Sequence, residues 1–128
     1  MAFRSLVLAT VIGIAMHSGQ VFAGGKLDGS WVLVELGGRK ISLGSSSTPR
    51  MTITGNEVSG FDGCNTFSGR LDKKGSFVAT QMACAGEFVG IPLDFNDVGS
   101  HMRAAKVSDG KLILPAKGDA PSSVFRKE

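Results

Sequence analysis

The chain of 128 residues has no tyrosine, one tryptophan, two cysteines and two histidines, and only 20% of it is charged. Each shortage closes off a class of function. There is no Cys-x-x-Cys pair, and His101 is the single histidine after His17, so the usual means of activating a thiol are missing. No second histidine or clustered carboxylate stands at metal-ligand spacing from His101, which is expected on the solvated side of a helix, and no metal or other cofactor is expected. Ser45, Ser46 and Ser47 sit in a loop without the strand-turn-helix context of a nucleophile elbow, and there is no phosphate-cradling glycine loop. No catalytic residue is assigned, and the chain is not expected to be an enzyme. Lys26, Arg39, Arg50, Arg70, Arg103 and Lys117 are scattered, and the pairs Lys73-Lys74 and Arg126-Lys127 carry no interleaved aromatics. Nucleic acid is therefore not the expected partner.

Long apolar runs are scarce too. Leu6 to Met16 follows a positively charged start, is too short to span a bilayer, and leads into a polar segment with Val21 and Ala23 at the small-residue positions read by signal peptidase. Residues 1–23 are expected to be a signal peptide cleaved after Ala23, leaving one domain over 24–128 in the periplasm or the medium. Ala23-Gly24-Gly25 offers no cysteine for lipidation, so no membrane anchor is expected. Loss of Arg4 with the leader leaves thirteen basic against eleven acidic residues, a nearly balanced chain. A domain of this size buries about 60–70% of its unfolded surface in a single core.

What is abundant is glycine, eighteen residues of it, with phenylalanine as the main aromatic. That balance suits tight turns between short strands. Leu27–Leu36 reads as a central strand ending at Gly37-Gly38, Met51–Thr54 alternates as a half-buried strand, and Gly55-Asn56 closes a hairpin to Glu57–Phe61. Gly60 and Gly63 predict a bulge or sharp bend where backbones approach. Phe67, Gly69 and Leu71 alternate with Thr66, Ser68 and Arg70, and Asp72-Lys73-Lys74-Gly75 turns into a strand over Ser76–Gln81. From Gly90 the period changes: Pro92 suits the first turn of a helix, and Phe95, Val98, Met102 and Ala105 predict a short one, with Asp94 and Asp97 near its start, Arg103 and Lys106 near its end, and Gly99 weakening it. Lys111–Leu114 and Ser122–Phe125 are closing strands. The expected fold is mainly β: a small antiparallel, strongly curved sheet or barrel with one short amphipathic helix inserted before the last strands.

These residues resemble the META domain, the HslJ-like family of secreted and envelope proteins. The resemblance rests on Gly29, Trp31 and Leu33; on Pro49 and Ile53; and on a signature of Ser59, Gly60, Gly63, Cys64, Asn65, Phe67, Ser68 and Gly69. Downstream, Thr80, Met82, Ala83 and Cys84 continue it, and Gly110, Leu112 and Leu114 mark a late strand. It implies a compact, mainly β fold and an association with envelope stress tolerance. It implies no catalytic residues, because the family has none in common.

Cys64 and Cys84 fall in segments expected on neighbouring strands of an exported protein, which favours a disulfide over two buried thiols. Such a bridge would contribute about 3 kcal/mol through the unfolded state. Asp62 and Asn65 flank Gly63, where their side chains are expected to bond local backbone; they are also the candidate ligand contacts. Trp31, Phe61, Phe67, Phe77 and Phe88 are expected in the core, with some of them around a barrel mouth or exposed patch as the alternative. The function expected is a non-enzymatic envelope module that binds an envelope protein, a peptide or a small apolar ligand. The alternatives are a thiol-dependent redox enzyme or sensor using Cys64 and Cys84, and a purely structural envelope module.

Overall fold

The computed structural model describes residues 26–44, 46–84 and 90–128. The signal-peptide expectation, Ser45 and Phe88 lie outside these. Nine strands and one helix follow in order: β1 (Gly29–Leu36), β2 (Arg39–Lys40), β3 (Arg50–Thr54), β4 (Glu57–Phe61), β5 (Thr66–Arg70), β6 (Val78–Ala79), α1 (Val98–Arg103), β7 (Lys106–Ser108), β8 (Lys111–Leu114) and β9 (Ser123–Lys127). The strands form one antiparallel sheet in the order β6-β5-β4-β3-β1-β9-β8-β7, with β2 paired to the end of β1. The sheet is curled but not closed.

Three tight turns set the hairpins, and each has its glycine where positive φ is needed. Gly37 and Gly38 (φ 58° and 82°) join β1 to β2, Gly55 (φ 59°) joins β3 to β4, and Asp109-Gly110 (φ 52° and 71°) joins β7 to β8. At 37–38 and at 109–110 two adjacent left-handed residues give the turn whose twist matches paired strands. Period-two alternation then sorts the side chains. Trp31 pairs with Met51, Met51 with Gly60 and Gly60 with Phe67, so one inner row crosses four strands. Leu33, Phe125 and Leu112 form another. Trp31, Leu33, Met51, Ile53, Leu112 and Phe125 are at most 1% exposed. Each such apolar side chain contributes about 1.5–3 kcal/mol by leaving water. The Trp31 indole N–H, which burial would otherwise strand, donates to the Leu27 carbonyl at 2.9 Å.

The closing helix is shorter and later than its periodicity predicts. Asp94 accepts the Asn96 amide with its side chain, and Asp97 accepts the Ser100 amide as the N-cap of α1. These Asx contacts hold 94–97 in turns, so Asp94 and Phe95 precede the helix. Phe95 is 46% exposed and meets Phe67 edge-on at 5.9 Å between ring centroids. Lys106, expected near the helix end, opens β7, an edge strand the sequence reading missed. Gly99 also has a positive role: a Cβ there would overlap the Leu71 carbonyl oxygen, so glycine lets α1 sit on the end of β5. At its other side the helix is tied by His101 to the Pro115 carbonyl after β8, and it precedes the last strands, as expected.

Other departures are local. The strand expected over Ser76–Gln81 shrinks to Val78–Ala79, and β1 begins at Gly29. The register is regular through Gly60, and the irregularity lies in β1 between Leu33 and Glu35. Gly60 answers a different need: an added Cβ would strike the Phe67 ring and the Arg50 carbonyl. Phe61, expected in the core, pairs with Arg50 on the outer face and is only half-buried, whereas Phe67 is buried and Phe77 packs against the core's margin.

Candidate functional site

The signature residues meet at one end of β4, β5 and β6. Asp62 Oδ1 accepts the amides of Cys64 (2.8 Å) and Asn65 (2.6 Å), while the Asp62 amide donates to the Asn65 carbonyl at 2.9 Å. With Gly63 at φ 102°, these bonds close the bend between β4 and β5. Asn65 reaches across to the next segment. Its Oδ1 accepts the Met82 amide at 2.7 Å and the Thr80 hydroxyl at 2.8 Å, and its Nδ2 donates to the Met82 carbonyl at 3.3 Å. The carboxamide thus imitates a strand residue and pairs with Met82 where the main-chain ladder has stopped. Thr80 completes the circuit, since its Oγ1 accepts the Thr66 amide at 3.1 Å and its own amide donates to the Thr66 carbonyl at 3.0 Å.

The Cys64–Cys84 disulfide fastens the same segment, with Cα atoms 5.8 Å apart, within the ordinary range for a bridge. Cys64 is buried and Cys84 exposed. Of the residues singled out in the sequence, Asp62, Asn65, Thr80 and the two cysteines are brought together, and the polar groups of all of them are used in shaping the bend. The Met82 side chain, although part of the signature, stands 60% exposed. Ser59 and Ser68 face each other on the outer side of the sheet.

That outer side carries what the sequence reading missed. An open cleft of about 650 Å³ runs over β3 to β6, walled by Arg50, Phe61, Thr66, Ser68, Val78 and Thr80. A second, of about 320 Å³, continues past Thr54, Ser59 and Ser68 to Glu57 and Arg70. Val78 is 66% exposed at its rim. The polar positions of the β3 alternation, Arg50, Thr52 and Thr54, were the signal that could have located it.

His101 corrects another expectation. It is fully buried, not solvated. Its Nδ1 accepts the Asp94 amide at 3.1 Å, so Nε2 carries the proton and donates to the Pro115 carbonyl at 2.7 Å. Val98, His101 and Met102 lie three and four residues apart on the buried stripe of α1, and the ring joins the helix to the loop after β8. Lys117 Nζ lies 2.9 Å from Asp94 Oδ2, and this hydrogen bond holds the Asp94 carboxyl below the usual carboxylate range against the opposing effect of burial. Asp72 is lowered likewise, chiefly by its hydrogen bond to Arg70 at 3.0 Å, on the exposed turn after β5. Among the described residues no group of three His, Cys, Asp or Glu side chains is placed to hold a metal ion.

Among the described residues, a curled antiparallel sheet with one short helix, stapled at a glycine-marked bend, defines a class of small disulfide-bonded β domain. The META domain model matches residues 25–128, and the chain belongs to that family. No curated protein and no solved structure matches it.

Proposed function

We propose that this META domain is an exported, non-enzymatic binding module of the cell envelope, and that its outer cleft over β3 to β6 receives an envelope protein or peptide. One observation carries this reading. The side chains of Asp62, Asn65 and Thr80 are engaged in holding the bend, while the adjoining cleft presents the hydroxyls of Ser59, Thr66 and Ser68 beside half-buried Phe61 and exposed Val78. Such a surface, apolar at its edges with polar groups between, suits contact with a polypeptide more than bond chemistry. The disulfide supports the location, since such bonds persist in oxidising compartments outside the cytoplasm.

The test is site-specific photo-crosslinking in producing cells, with the crosslinker placed at Val78 and, as control, at Lys74 on the exposed turn. A discrete adduct from Val78 that is absent from Lys74 is expected. The same pattern from both positions, or none from either, would refute the assignment.

A further inference from the structure

Cations that look scattered along the chain are gathered by the strand register. Lys111 pairs with Arg126, Arg126 with Val32 and Val32 with Arg50, so one outer row crosses β8, β9, β1 and β3. In the neighbouring row Lys106 pairs with Ile113, Ile113 with Val124, Val124 with Glu35 and Glu35 with Lys40. This face therefore holds five cations against two carboxylates, Glu35 and Glu128, and Glu128 sits 3.2 Å from Arg50. Elsewhere the described residues carry eight charges of each sign. The net positive charge of the described molecule is thus concentrated on one side.

The face has a second feature. Ile113, 40% exposed, and half-buried Val124 lie side by side, with Lys106 on one flank and Lys111 and Arg126 on another. Among the described residues Lys111 and Arg126 make no ion pair, and both are exposed. We propose that this face docks on the surface of an anionic lipid bilayer, with the cations at the headgroups and Ile113 entering the interface. Charge complementarity argues for an anionic partner. An apolar centre inside a cationic rim, with no aromatic platform for bases, argues for lipid over nucleic acid. The association is peripheral, and Arg50, which also walls the cleft over β3 to β6, is the one cation of this face shared with that cleft.

The test is sedimentation of the purified protein with phosphatidylglycerol vesicles and, separately, with phosphatidylcholine vesicles. Two charge-reversed variants are compared: Lys111→Glu/Arg126→Glu on the face, and Lys73→Glu/Lys74→Glu on the distant turn. All four positions are exposed, and urea midpoints check that both variants fold. The proposal expects binding to the anionic vesicles alone, weakened as salt shortens the screening length. At about 1 kcal/mol per basic residue, the face variant should lose about thirty-fold or more in partitioning while the turn variant keeps most of it. Ile113→Ser should lose about five-fold. Absence of binding to phosphatidylglycerol, equal losses in both charge variants, or retention on immobilised heparin without binding to either vesicle would overturn it.

Discussion

Replacing Asn65 by alanine removes three hydrogen bonds to the Thr80–Met82 segment and a weak fourth from Nδ2 to Cys64 Sγ at 3.5 Å. The carboxamide makes contacts of 2.7 and 3.3 Å to the Met82 main chain and of 2.8 Å to Thr80, in a half-exposed setting. At about 0.5–1 kcal/mol net for each, the loss is about 2 kcal/mol. With a urea slope near 1.5 kcal/mol per M for a small domain, the unfolding midpoint should fall by about 1 M. Asn65→Asp keeps the two acceptor contacts but places a carboxylate against the Met82 carbonyl, so it should fall between wild type and alanine. The same substitution in a Cys64→Ser/Cys84→Ser background tests the geometry further, because carboxamide and disulfide secure one segment. Such neighbours are expected to couple by about 0.5 kcal/mol or more. An Asn65→Ala midpoint within about 0.2 M of wild type would refute the idea that a side chain stands in for the missing strand.

Titration of the unfolded, unreduced protein should find no reactive thiol, and reduction should cost about 3 kcal/mol for the 20-residue separation. Gly99→Ala gains about 1 kcal/mol of helix propensity yet should destabilise overall, because its Cβ meets the Leu71 carbonyl; a raised melting temperature would contradict this. Nitrogen NMR should show His101 with the proton on Nε2, and His101→Leu should cost about 2–4 kcal/mol by stranding the Asp94 amide and the Pro115 carbonyl. Asp94 has a folded-state pKa below its ordinary 3.8, so its contribution is complete above that value and disappears as pH falls through the lower, folded one. Urea midpoints in strong acid should therefore fall less steeply in Lys117→Met than in wild type, and identical profiles would count against the ion pair.

Much of this molecule could be read from residue order alone. Alternating Met51-Thr52-Ile53-Thr54, the glycine turns at 37–38, 55 and 110, and the paired cysteines are local signals, because period-two burial and positive φ depend on near neighbours. They determined a mainly β chain with a stapled bend. The wheel puts His101 three residues after Val98 on the apolar stripe, but did not reveal that its ring would be satisfied there, since the carbonyl after β8 that accepts its Nε2–H is brought there by the fold. Nor did spacing reveal the shortened helix: the competing Asx contacts of Asp94 and Asp97 carry no periodicity. The cationic face and the hydroxyl-lined cleft were decided by register alone. Lys111, Arg126 and Arg50 lie far apart in the chain and become neighbours only because antiparallel pairing places β8, β9, β1 and β3 side by side.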